Sequence, residues 1–103
     1  MYDVVYLPLA KRDLGKAVAY IVSELAAPDA ALELINLLDK TAAGLVQMPY
    51  RYSIYPVRVS LSHEIRFVPL KGYNLFYRVK EETRKVEIMR ILHQRQQARI
   101  KLE

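Results

Sequence analysis

The residues able to do chemistry gather late in the chain. Tyr77, Arg78, Arg90 and His93 stand within residues 72–93, GYNLFYRVKEETRKVEIMRILH, and Glu64 and Arg66 lie just upstream. An imidazole titrating at about 6.5 can give or take a proton near neutrality, and a guanidinium fork can hold a carboxylate or a phosphate. Glu64 is the only carboxylate between Asp39 and Glu81, which makes it a reserve base. The chain has no cysteine, so thiolate nucleophiles, Cys-ligated zinc and disulfides are excluded, and a reducing cytosol is compatible. His63 and His93 form no recognised metal spacing, so neither metal nor cofactor is expected.

What must position these groups is a hairpin. Residues 73–79 and 85–92 are rich in Tyr, Phe, Val, Ile and Leu, and the polar run 80–84 separates them. Strict alternation puts Tyr73, Leu75, Tyr77 and Val79 on one face of the first strand, with Asn74, Phe76 and Arg78 on the other. In the second strand it sets Val86, Ile88, Arg90 and Leu92 against Glu87, Met89, Ile91 and His93. Both faces carry large side chains. The pair therefore belongs near the middle of a sheet, with helices on one face and, on the other, a partly exposed surface that brings Arg, Tyr and His together. Tyr77, next to Arg78, points the opposite way and reads as core.

One domain accommodates 103 residues, 52% of them apolar, without staples. The formal charge of +5 is uneven: residues 1–49 hold four Lys/Arg against six Asp/Glu, and residues 50–103 hold twelve against five. The resulting positive field attracts a polyanion or an acidic protein segment, unless it serves solubility alone. Residues 14–25 are interrupted by Lys16, Ser23 and Glu24 and fall short of the roughly 20 apolar residues that cross a bilayer. No signal peptide is expected from Met1, Tyr2 and Asp3, so the localisation expected is cytoplasmic.

In chain order, YDVVYL at residues 2–7 reads as a short strand ended by Pro8. Leu14, Val18, Ile21 or Val22, and Leu25 then recur at helical spacing. Residues 26–29, AAPD, break this helix, and Asp29 is expected to cap a second one carrying Leu34, Leu38, Ala42 and Leu45. Gly44 weakens that helix, residues 46–48 read as a fraying or tightly wound last turn, and Pro49 ends it. Residues 49–62, PYRYSIYPVRVSLS, are irregular. Their Tyr50, Tyr52 and Tyr55 with Arg51 and Arg58 serve either as a stacking and phosphate-binding loop or as aromatic pins on the core, and residues 57–61 can pair at an edge. EIRFVPL at residues 64–70 is the next strand, with Pro69 at a strand end and Lys71–Gly72 turning into the hairpin. The expected fold is α+β, a two-helix hairpin on a small four-stranded, mostly antiparallel sheet in the order β-α-α-β-β-β. Residues 1–95 form the domain and residues 96–103 a basic tail, whose Leu102 and Glu103 carry no functional weight.

This pattern resembles the RelE/ParE superfamily of toxins from type II toxin–antitoxin modules, in particular its ParE-like, plasmid-stabilisation branch. The resemblance covers roughly residues 2–95. It rests on YDVVYLPLAKRDL, on AYI at residues 19–21, on the helix ending at Met48 and Pro49, on the arginine of IRFVPL, on YNLFYRV, and on VEIMRILHQR at residues 86–95. It implies a cognate antitoxin, acidic and encoded alongside, that wraps the domain.

Two activities accompany that fold: mRNA cleavage on the ribosome by RelE-like members, and non-enzymatic inhibition of DNA gyrase by ParE-like members. Carried onto this chain, the RelE pattern implies Arg66 and Arg78 as phosphate grips and His93 as acid or base in a metal-independent endoribonuclease, an mRNA interferase. Arg51, Arg58, Arg90 and Arg95 are the expected RNA or partner contacts. The upstream lysines of the well-characterised nucleases have no counterpart in residues 50–62. Translation inhibition by ribosome-dependent cleavage is the leading expectation, gyrase inhibition the alternative, and a domain that binds antitoxin without toxicity the third. On a purely structural reading Arg66 and Arg78 pair with Glu64, Glu81 or Glu82, or with each other's neighbouring carboxylates, as cross-strand salt bridges, and His93 is a surface or capping group.

Overall fold

The computed structural model describes residues 1–56 and 64–95. The described elements are β1 (Asp3–Tyr6), α1 (Pro8–Ser23), α2 (Pro28–Gln47), β2 (Ile65–Leu70), β3 (Tyr73–Lys80) and β4 (Lys85–His93), with a 3-10 turn at Glu81–Thr83. This is the α+β order read from the sequence. The sheet runs β1-β4-β3-β2, so the two hairpin strands are central, and β1 joins as a parallel partner of β4.

Both helices begin on a proline, which suits a position where no N–H is required. The expected cap at Asp29 is corrected: Ala27 is the N-cap of α2, and Asp29 sits in the first turn, where its charge faces the positive end of the helix dipole. Of the two endings expected for α2 the last turn is wound rather than frayed, because the helix continues to Gln47 and Met48 N–H donates to the Gly44 carbonyl. Helical spacing delivers Ala10, Ala17 and Ile21 from α1 and Ala31, Leu34, Leu38 and Leu45 from α2 to the core. Leu14 and Val18 are partly buried against it. The sheet answers with Val68, Leu75, Tyr77, Val86, Ile88 and Ile91.

Lys71 and Gly72 close the β2–β3 hairpin with φ of 51° and 84°, the all-positive pair of a tight two-residue turn. On the far side of the sheet Ile65, Phe76, Met89 and Leu92 form a second, smaller core with Leu7, Tyr55 and Phe67. Burying both faces is what allows the central strands to be apolar on both sides.

Strict alternation fails once, in β4. Phe76 pairs with Arg90 but Tyr77 pairs with Ile88, so Met89 is the extra residue of a β-bulge. Beyond it the faces exchange: Val86, Ile88 and Ile91 meet the helices, whereas Met89 and Leu92 enter the second core. The expected grouping of Val86 and Ile88 with Leu92, and of Met89 with Ile91, is thereby corrected. The outer edge of β2 is covered by residues 53–55, through Phe67 N–H to the Ser53 carbonyl (3.1 Å) and Tyr55 N–H to the Ile65 carbonyl (2.7 Å). The edge pairing expected of residues 57–61 lies outside the described residues.

Candidate functional site

Two clusters of polar and aromatic side chains occupy opposite ends of the sheet. At one end the loop after α2, the start of β1 and the β3–β4 connection converge on Glu81. Its carboxylate accepts from Tyr2 Oη at 2.7 Å and also from Tyr50 Oη, and Arg84 reaches both Tyr2 Oη (3.2 Å) and Glu81 (3.4 Å). Arg84 also lies over the Tyr2 ring, 4.2 Å from its centroid. The two phenol hydrogen bonds hold the Glu81 carboxyl below its ordinary pKa, and the same bond pushes the Tyr50 phenol up to about 12.

Arg66 belongs to this end. It pairs with Tyr77 across β2 and β3, on the helix-facing side. Its guanidinium donates to the Tyr52 carbonyl at 2.7 Å and the Tyr50 carbonyl at 3.4 Å, stacks 5.1 Å from the Tyr50 ring centroid, and has Glu64 at 3.5 Å. The reserve base Glu64 is itself exposed. Arg78, flanked on β3 by the helix-facing Tyr77 and Val79, projects from the other face and bonds Glu87 at 2.7 Å. That carboxylate is not among the glutamates named for it.

His93 stands at the opposite end, paired with Tyr73 at the start of β3 and edge-on to its ring, with centroids 5.2 Å apart. Tyr73 and Tyr77 lie four residue steps apart along β3, about 13 Å at roughly 3.3 Å per step. The His93 Nδ1 accepts the Arg95 N–H at 3.2 Å, so a neutral ring carries its proton on Nε2. Arg66, Arg78 and His93 are therefore not gathered around one point: two lie on opposite faces and the third lies far along the strand.

Among the expected contact residues, Arg51 and Arg95 are exposed and Arg58 lies outside the described residues. Arg90 reaches back to Asp13 of α1 through Nε (2.7 Å) and Nη2 (2.9 Å), and the same carboxylate accepts the Ile91 N–H at 3.0 Å. Asp13 escaped the sequence reading, since it stands 77 residues from its partner and helical periodicity marks it only as a border position. The Tyr50 loop shows the structural one of its two expected uses: Tyr55 packs edge-on to Phe67 (5.4 Å) and Phe76 (5.0 Å) and Tyr52 rests on the main core, whereas Tyr50 is exposed.

Tyr77 ties loop to sheet. Fully buried, it donates from Oη to the Pro49 carbonyl at 2.7 Å, and burial pushes its phenol up to about 12. A phenol raised in the folded state adds stability that is complete below its unfolded pKa of about 10 and is lost as pH rises toward 12. Tyr77→Phe is thus expected to destabilise at neutral pH by about 1–3 kcal/mol, because it strands a carbonyl, yet to flatten the loss of stability between pH 10 and 12. Chemical denaturation across that range measures both effects.

Among the described residues no group of three or more His, Asp or Glu could hold a metal ion, and no helix is long and apolar enough to cross a membrane. A search of curated protein sequences returned no match. Solved structures share the fold. A chain of the chromosomal ParDE toxin–antitoxin system from P. aeruginosa superposes with a TM-score of 0.70 at 22% identity, over 90% of this chain and 96% of that one. A chain of the RelBE2 toxin–antitoxin complex from Mycobacterium tuberculosis gives 0.60 at 25% identity, over 90% and 98%. The family profile described as the ParE toxin of the type II toxin–antitoxin system parDE matches residues 4–98. With the strand order, the helical hairpin and nearly the whole length in agreement, the chain belongs to the ParE toxin family of type II toxin–antitoxin systems.

Proposed function

We propose that this toxin acts by binding, as an inhibitor of DNA gyrase, rather than by cutting mRNA on the ribosome. The observation that carries the reading is the dispersal of the three groups a ribonuclease would need. Attack of a 2′-hydroxyl on its phosphate requires a proton acceptor and fixed cations within hydrogen-bond reach of the same few atoms. Arg66 is instead occupied beneath the Tyr50 loop, Arg78 is paired with Glu87 across the sheet, and His93 stands about 13 Å along β3 from the Arg66 row. The match to the ParE family, whose resemblance implies gyrase inhibition, supports the same side.

The toxin half of such a module has a cognate antitoxin, and the excess of Lys and Arg after residue 50 favours an acidic one. Added to gyrase with relaxed plasmid, the purified protein is expected to block supercoiling; added to translating ribosomes with labelled mRNA, it leaves the message intact. His93→Ala should inhibit gyrase within about twofold of wild type. A ribonuclease would show the reverse, with cleaved mRNA, free supercoiling and a loss of about 10²- to 10⁴-fold in His93→Ala.

A further inference from the structure

We propose that residues 48–54 are the face with which this toxin docks on its target enzyme. Met48, Tyr50 and Ile54 stand exposed in the same short segment as the exposed Arg51 cation, and together they fit an apolar surface rimmed by carboxylates. The proposal rests on the reading of the protein as an inhibitor that works by binding, and it names the residues that do so.

Large apolar side chains are exposed along this segment. Ten large apolar residues are conspicuously exposed among the described ones, and three of them fall in these seven positions: Met48 at 59%, Tyr50 at 47% and Ile54 at 47%. Tyr, Met and Arg are also the side chains enriched in protein interfaces, whose binding energy concentrates in a few aromatic and arginine anchors.

The segment is held as firmly as a loop can be. Its Pro49, Tyr52 and Ser53 carbonyls accept from Tyr77 Oη, Arg66 and the Phe67 N–H, Tyr50 Oη is bound to Glu81, and Tyr55 is wedged against Phe67 and Phe76. Loops that must be ordered on contact lose affinity to that ordering, whereas a surface fixed in advance does not. These bonds leave Tyr50 and Ile54 exposed while spending Arg66, Tyr52 and Tyr55 on support. This accounts for a tyrosine-rich segment in which only part of the aromatic surface is buried.

Charge selects the partner. MPYRYSI contains one cation and no carboxylate, and the nearby carboxylates are turned to internal partners, Glu81 to Tyr2, Tyr50 and Arg84, and Glu64 to Arg66. Arg51 is exposed, with its guanidinium 5.5 Å from the Tyr52 ring centroid. It lies so close over α2 that a Cβ at Gly44 would approach its Nη1 to 3.1 Å. An acidic rim on the partner complements this surface, and a basic one would be repelled.

Four variants test the assignment: Arg51→Glu reverses the charge, Arg51→Gln removes it, Ile54→Ser removes apolar surface, and Gly44→Ala displaces the Arg51 guanidinium without changing charge. Each is titrated against purified gyrase, by direct binding and by supercoiling of relaxed plasmid, with its melting temperature measured alongside. The expected result is a loss of at least about tenfold in binding and inhibition for Arg51→Glu and Ile54→Ser, and a smaller loss for Gly44→Ala. The salt dependence of wild-type binding should be weakened in Arg51→Gln, a readout that a change in fold stability does not mimic. If wild type inhibits gyrase and the variants inhibit equally at unchanged melting temperature, the docking face is wrong and the binding mechanism stands. If wild type neither binds nor inhibits gyrase, both fall.

Discussion

Asp13→Ala is expected to lower the unfolding free energy by about 3–5 kcal/mol, the largest loss for any single charged residue among the described ones. Two bonds to the Arg90 fork and one from the Ile91 N–H converge on this carboxylate. The pair is mostly buried, with side-chain exposures of 14% for Arg90 and 11% for Asp13. β1 pairs with β4 only as far as Ile88, so beyond that point α1 takes over and Asp13 supplies the acceptor for the Ile91 N–H. Removing the carboxylate takes two hydrogen bonds from a mostly buried cation and one from a backbone donor, and each loss carries its own desolvation cost. For a domain of this size, with a total stability of about 5–15 kcal/mol, that loss approaches the limit of folding. Arg90→Met together with Asp13→Leu should recover much of it, because replacing both partners by apolar groups strands neither charge, although the Ile91 N–H still lacks its acceptor. Urea denaturation of the two variants measures the difference. Equal stability of Asp13→Ala and wild type would show the contact to be incidental.

Phe76→Ala is expected to cost about 3–5 kcal/mol as well, and to loosen the loop that carries Tyr50. Phe76 is fully buried in the smaller core, T-shaped to Tyr55 with centroids 5.0 Å apart and stacked near Phe67 at 6.4 Å. Among the described residues that core has four buried members, Ile65, Phe76, Met89 and Leu92, so few of them can collapse into the space a lost ring leaves. Tyr55 would lose one of its two aromatic partners, and residues 53–55 would be held to β2 chiefly by backbone bonds. Limited trypsin digestion under native conditions should therefore cut faster after Arg51 in Phe76→Ala than in a Leu34→Ala control of matched stability. Leu34 lies in the main core, away from the loop. Equal cleavage of the two would separate loop order from the second core.

Much of this was legible in the residues, for local reasons. The β3–β4 hairpin and its central place follow from two apolar runs around a polar connection, and Lys71–Gly72 reads as a turn because Gly72 takes a positive φ without steric cost. Leu34, Leu38 and Leu45 are buried at the spacing that 3.6 residues per turn demands, and Tyr77 is core because β neighbours point oppositely.

What the sequence by itself could not decide was which groups meet. One extra residue, Met89, exchanges the faces of everything after it in β4, and no residue type announces a bulge in advance. Asp13 and Arg90 meet across 77 residues, and Tyr2 and Glu81 across 79, because the parallel pairing of β1 with β4 carries the start of the chain to its end. Arg66, Arg78 and His93 have the residue types of a catalytic set and stand in three adjacent strands. Strand alternation and distance along the sheet then separate them, since proximity in a fold depends on register and face rather than on membership of neighbouring strands.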